Sequence, residues 1–200
     1  MILQPQFVMP AKASAELSLY FEDDFNRSDS STLGSDYYSA DYGNIVSNRV
    51  EVGNNEGNNG LEGPICTTPL PTNEVIIEIN VTSVFNDYSY IAPLLYNSTR
   101  TSQYHARQRG RGSDSSIYLV DNNSVSDQSA NTGLGTDVTP FTLKLHYYDG
   151  GTLDFYRDDA LLVSHTFSSP ITLGSVCYAG FSGHNVAAWA IGDNFKVWAR

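Results

Sequence analysis

An antiparallel β-sandwich of two sheets, with little or no helix, is the fold class this sequence predicts. Three observations predict it. Thirteen tyrosines and nine phenylalanines favour strands over helices. Several segments alternate apolar and polar residues, and none repeats apolar residues at the helical period. Turn residues punctuate the chain at short intervals, which divides it into about a dozen short strands.

Taken in order, residues 1–19 carry apolar side chains without a strand or helix period and read as an extended arm. The arm is either a loose tail or a contact with a neighbouring subunit through Ile2, Phe7 and Met9, which would be wasted in water. The sandwich domain runs from residue 20 to residue 200. Tyr37–Ala40, Gly43–Val46 and Asn48–Val52 are short strands, followed by a Gly- and Asn-rich loop over residues 53–63. Glu74–Val84 turns Val75, Ile77, Ile79 and Val81 inward and Glu78, Asn80 and Thr82 outward. Tyr88–Tyr96 is apolar on both faces and belongs mid-sheet. Gln103–Arg109 sets Tyr104 and Ala106 against His105, Arg107 and Arg109, and Ser116–Val120 follows. Residues 121–139 read as loop or a ragged strand. Phe141–Phe167 is a three-strand meander: Phe141, Leu143, Leu145 and Tyr147, a turn at Asp149-Gly150-Gly151, then Leu153, Phe155 and Arg157. A second turn at Asp158-Asp159 leads to Leu161, Val163 and His165. Val176–Phe181 and Ala190–Trp198 are the closing strands. Strict alternation turns Trp198 away from Phe195 and Val197, which makes it a candidate subunit contact or a seat for the arm.

Composition narrows function. The net charge of −11 repels nucleic acid and anionic membrane surfaces, and the bland role of that acidity is solubility. No stretch approaches the length of a membrane span. The amino terminus does not read as a signal peptide, because no basic residue precedes the apolar part and Gln4, Pro5, Gln6 and Pro10 interrupt it. Two cysteines, Cys66 and Cys177, do not make a disulfide framework, although they could form one bridge.

The segment Asp23-Asp24-Phe25-Asn26-Arg27-Ser28-Asp29, then Thr32-Leu33-Gly34-Ser35, then Gly43-Asn44-Ile45-Val46-Ser47-Asn48-Arg49-Val50, resembles a module of bacteriophage minor tail proteins. The close, Tyr178-Ala179-Gly180-Phe181 with Asp193-Asn194-Phe195-Lys196-Val197, is similar to that module's last two strands. The resemblance covers residues 20–200 and implies a concanavalin A-like, laminin-G-like jelly roll in which first and last strands are neighbours. Asp24-Phe25-Asn26 would then lie beside Asp193-Asn194-Phe195, with both rings in one core layer. The implied role is a non-enzymatic structural virion protein, in the tail or decorating the head, assembled in the bacterial cytoplasm. Its partners would be other virion proteins, further copies of itself and host-surface glycans. A carbohydrate-binding module or lectin of a bacterial secreted protein is the alternative, and a glycoside hydrolase the third reading.

Asp24 and Asp193 serve as turn caps or as oxygen ligands of a structural calcium ion; no other cofactor is expected. Jelly-roll glycoside hydrolases set Glu, Asp and Glu at alternate positions of a strand, and Glu74-Val75-Ile76-Ile77-Glu78 has Ile76 at the middle position. Carboxylates four residues apart on a strand lie about 13 Å apart, against about 5–9.5 Å for a hydrolytic pair. The four histidines show no metal-ligand spacing. The carbohydrate-binding candidates are Tyr37 and Tyr38, and Tyr104 with His105, Arg107 and Arg109; ring faces would stack on sugars while the cations hold hydroxyls.

Overall fold

The computed structural model describes residues 16–39, 43–52, 63–83, 90–108, 114–121, 124–131, 140–184 and 190–200, with backbone alone at 114–116, 118, 120, 121, 124–131 and 184. These residues form fifteen strands and no helix. The chain begins with β1 (Ser18–Asp23), β2 (Tyr37–Tyr38), β3 (Gly43–Ile45), β4 (Val50–Val52) and β5 (Ile65–Cys66). Next come β6 (Glu74–Ser83), β7 (Tyr90–Tyr96), β8 (Ser102–Gln108), β9 (Asp114–Asp121) and β10 (Ser124–Asn131). The last five are β11 (Phe141–Tyr148), β12 (Thr152–Arg157), β13 (Ala160–Thr166), β14 (Tyr178–His184) and β15 (Ala190–Ala199). They build two antiparallel sheets. The eight-stranded sheet runs β13-β12-β11-β6-β15-β4-β3, with β1 also on β15; the seven-stranded sheet runs β10-β9-β8-β7-β14-β5-β2. This is the antiparallel two-sheet jelly-roll sandwich that the alternation predicts.

The core lies between the sheets. Val75, Ile77, Ile79 and Val81 of β6 meet Phe141, Leu143, Leu145 and Tyr147 of β11 across a regular ladder. Turn chemistry matches the sequence. Ser47 and Asn48 both hold positive φ (52° and 61°) in the two-residue hairpin joining β3 to β4, and Asp158 and Asp159 do the same (48° and 63°) between β12 and β13. Such turns twist the way strands twist, which is why short polar residues occupy them.

The first and last strands pair as the resemblance implies. Asp23 stands opposite Phe195, and Ser18 opposite Ala199, so the sheet already includes residues assigned to the arm. The Asp23 carboxylate accepts from Phe25 N at 2.8 Å, from both terminal nitrogens of Arg27 at 2.6 and 3.0 Å, and from the Tyr37 hydroxyl at 3.0 Å. Phe25 is thereby held at φ 51°, a conformation rare for a bulky residue, and its ring is fully buried. Phe25 and Phe195 both pack on Phe181, with ring centres 5.9 and 4.9 Å apart. Opposite them, Asp193-Asn194 is a β-bulge: β15 spends one residue more than β6 there, and Asn194 takes φ 49°. The bulge returns Phe195 and Val197 to the core side after Ala190 and Gly192.

Three expectations change. Within the stretch read as loop or a ragged strand, residues 124–131 form a regular strand laddered on β9. A register shift opposite Phe155 and Tyr156 buries both Leu162 and Val163 and leaves Leu161 54% exposed, so the expected face of Leu161, Val163 and His165 is broken. His165 is half-buried with its ring edge-on to Phe167 at 4.6 Å, rather than in the core. The closing strands β14 and β15 belong to opposite sheets.

Truncating the ring that closes this layer should be the most damaging of three changes. Phe195→Ala is expected to cost about 3–5 kcal/mol, and Asp23→Ala about 2–3 kcal/mol through its charged hydrogen bonds. Lys196→Ala, which breaks an exposed pair with Glu22 at 2.8 Å, should cost under about 1 kcal/mol. Urea unfolding of the three variants checks the order.

Candidate functional site

Each strand of the seven-stranded sheet has one face in the core and one facing away. Ile91 and Leu95 of β7, Tyr104 and Ala106 of β8, Ala179 and Phe181 of β14, Cys66 and Tyr37 all belong to the core. Alternation therefore assigns Tyr90, Ala92, Leu94 and Tyr96, with Gln103, His105 and Arg107, to the outer face. Tyr178, Gly180, Ser182, Ile65 and Tyr38 join them. Register aligns these residues in rungs. One rung reads Tyr38, Ile65, Gly180, Leu94, His105 across five strands, and the next reads Tyr178, Tyr96, Gln103. Four strand spacings make the longer rung about 19 Å wide. Gly180 is required in it, because a Cβ there would meet Pro64 O at 2.4 Å.

This face is deep over β7 and β8 and open over β2. His105 and Leu94 are fully buried, whereas Tyr38 is 37% exposed. His105 lies beside Tyr90, ring centres 6.0 Å apart. The Arg107 guanidinium sits 5.3 Å over the Tyr90 ring and donates to its hydroxyl at 3.5 Å. Burial, then the Arg107 charge, pushes the His105 pKa down to about 3, so its imidazole is neutral at ordinary pH.

The predicted carbohydrate residues are thus divided. The structure brings His105, Arg107 and Tyr38 onto one face. It moves Tyr104 and Tyr37 off it: both are core residues, because each stands one position out of phase with the outer set. The Tyr104 hydroxyl accepts from Ile171 N at 3.1 Å instead, and Tyr37 binds Asp23. His105 is also not the exposed residue expected. Arg109, Ile2, Phe7 and Met9 lie outside the described residues. Trp198 is half-buried on the outer face of the eight-stranded sheet, opposite Leu19 of β1 and Ile76 of β6. Sequence reasoning missed Tyr90, Tyr96, Tyr178, Gln103 and Ser182; the doubly apolar β7 signalled a central strand but not which of its faces bears a site.

The acidic candidates have local partners. Asp24 accepts from Asn26 N at 3.0 Å and Asp193 from Asn194 N at 2.9 Å, and burial raises the Asp193 pKa. Among the described residues no three His, Cys, Asp or Glu side chains gather to hold a metal. Glu74 lies on the outer face of the eight-stranded sheet, bonded to His146 at 2.8 Å and to Arg200. Burial opposes its charge, but these two partners hold its pKa below the usual carboxylate value. It clasps the end of β15 to β6 and β11. Cys66 and Cys177 are free thiols, raised by burial to about 11 and about 12. Cys66 lies in β5, and Cys177 just ahead of β14 is bridged to Leu70.

Against known proteins, no family model matches the chain, and no curated protein matches its sequence. Solved structures match its fold. β-Agarase B from Zobellia galactanivorans aligns at TM-score 0.63 and 10% identity, over 94% of this chain and 96% of that one. The Bacillus licheniformis β-glucanase aligns at TM-score 0.58 and 12% identity, over 90% and 97%. An inactivated β-agarase B in complex with agaro-octaose aligns at TM-score 0.62 and 11% identity, over 96% and 97%. These likenesses establish the jelly-roll sandwich and do not bear on the phage module. They do correct the expectation that the chain is not an enzyme: the sandwiches it matches include hydrolases, so the fold is one that carries catalysis.

The neutral state of His105 has a measurable consequence. A folded pKa below the ordinary 6.5 means its contribution is complete above pH 6.5 and drains away as pH falls toward 3. Thermal melts from pH 7 to pH 4 should therefore fall less steeply for His105→Gln than for the native chain. Parallel curves would show that His105 does not set the acid limit.

Proposed function

We propose that the chain is a carbohydrate-recognising protein whose ligand lies across the outer face of the seven-stranded sheet. The observation that carries this reading is the composition of that face. Tyr38 and Tyr178 supply accessible rings and Arg107 a half-buried guanidinium, while Tyr96, Gln103 and His105 lie buried beside them and support the face. The strands β2, β5, β7, β8 and β14 contain no Asp or Glu, although the chain has 22 acidic residues. The likeness to a sandwich in complex with agaro-octaose supports the same reading.

Hydrolysis is the second reading, favoured by the likeness to agarases and a glucanase. Two carboxylates are needed for it. By backbone register, Asp127 of β10 is level with His105 two strands away through Tyr118, which makes it the first acid to substitute in a test of hydrolysis. The resemblance of Asp23–Asp29 and Asp193–Val197 to phage tail modules is what supports a virion surface, tail or head, as the setting of that recognition. There, repetition of a weak site would raise its avidity.

Affinity electrophoresis in gels carrying agarose, mixed-linkage β-glucan or carrageenan tests recognition. Retardation by at least one is expected, weakened about tenfold or more in Tyr38→Ala and Tyr178→Ala. Mobility unchanged by every polysaccharide would sink the reading. New reducing ends in the same mixtures, abolished in Asp127→Asn, would establish hydrolysis.

A further inference from the structure

We propose that Arg100 is the specificity group of this face and selects saccharides bearing an anionic substituent, a sulfate ester or a carboxylate. The inference rests on the proposed recognition reading and names the ligand class within it. Arg100 sits in the turn between β7 and β8. Asn97 builds that turn: its side-chain oxygen accepts from Thr101 N at 2.9 Å and Ser102 N at 3.2 Å, and its carbonyl accepts from Arg100 N at 3.0 Å. Arg100 occupies φ 60°, where glycine or asparagine would be easier. An arginine is held there despite that cost.

Its side chain reaches over the open end of the sheet face. The guanidinium carbon lies 3.9 Å above the Tyr38 ring and 5.9 Å from the Tyr178 ring, and those rings meet edge to face at 6.1 Å. Stacking fixes the guanidinium plane and leaves its rim of N–H donors outward. Among the described residues, Arg27 pairs with Asp23, Arg157 with Asp158 and Arg200 with Glu74, yet no carboxylate meets Arg100. In a chain with 22 acidic residues and 11 basic ones, an exposed arginine without an acid is notable. A planar fork offered this way matches a sulfate or carboxylate two bonds at a time. Tyr38 belongs to the rung that ends at His105, so a ligand on the face meets the edge of the fork at the open end of that rung. The net charge of −11 opposes a polyanion at long range, but that field is screened beyond about 8 Å at physiological salt, and contact chemistry decides.

Equilibrium binding of the whole chain should be measured by calorimetry with three defined oligosaccharide sets: neutral agaro-oligosaccharides, sulfated carrageenan oligosaccharides and oligogalacturonates. One anionic set should bind at least about tenfold tighter than the neutral set, and which of the two does so identifies sulfate or carboxylate. In Arg100→Gln the preference ratio should collapse to about one, and in Arg100→Lys it should fall part way, since charge remains without the fork. Melting curves confirm that both variants are folded. Equal binding of all three sets by the native chain, or a preference that survives Arg100→Gln, overturns the proposal and leaves recognition standing. No binding to any set removes both.

Discussion

The sandwich depends on how one carboxylate, Asp23, is satisfied. It takes four hydrogen bonds, from the Phe25 amide, the Arg27 fork and the Tyr37 hydroxyl. Those bonds reverse the chain at Phe25 and hold it in a conformation that costs a non-glycine residue about 1–3 kcal/mol. The return is a phenylalanine ring driven fully into the core, and burying such a side chain is worth about 1.5–3 kcal/mol before the hydrogen bonds are counted. The two terms are of the same size, so the turn stands because Asp23 tips the balance. The Asp193-Asn194 bulge on the partner strand answers it, bringing Phe195 into the same layer. Both rings then rest on Phe181, a residue of the other sheet. Closure of the chain ends and attachment of the two sheets are therefore one event.

That event also sets the candidate face. Phe181 is flanked on β14 by Gly180 and Ser182, which point the opposite way. Whatever fixes Phe181 inward fixes Gly180 in the rung between Ile65 and Leu94. Tyr37 carries the same coupling at the edge: its hydroxyl is held by Asp23, and its neighbour Tyr38 is thereby presented outward to Arg100. The motif residues shape the core directly and the outer face through their neighbours.

Much of this was legible in the sequence, for a physical reason. Where one face of a strand is wet, alternation is unambiguous, and β6, β11 and β12 read correctly residue by residue. Pairing of the chain ends was legible because the Asp-Phe-Asn and Asp-Asn-Phe segments are built for tight turns beside a ring. What failed was of two kinds. A bulge breaks the phase between the residues on its two sides, so Leu161, just ahead of the bulge at Leu162, lies outward while Val163 beyond it lies inward. Burial on the second face of a strand leaves no periodic trace, so His105 read as exposed and is enclosed. The tyrosine pairs Tyr37-Tyr38 and Tyr104-His105 failed by a single position, since the residue type that fills a core also makes a binding platform.

Charge is unevenly spread within the seven-stranded sheet: β2, β5, β7, β8 and β14 carry no Asp or Glu, whereas β9 and β10 carry Asp114, Asp121 and Asp127. Acidity needed for solubility is carried elsewhere: Glu22, Glu74, Glu78, Asp154 and Asp159 lie on the eight-stranded sheet or its turns, four of them with a cation or hydroxyl in contact. Placing even one such acid beside His105 would reverse the local chemistry. It would pair with Arg107, draw the imidazole toward its charged form and bring a bound water shell into the rung. Instead the five strands offer tyrosine, glutamine, imidazole and guanidinium groups, which are rich in donors. Hydroxyls, ring oxygens and anionic substituents are acceptors. A carboxylate-free run of five strands on an otherwise acidic protein is the setting that the recognition proposed above requires.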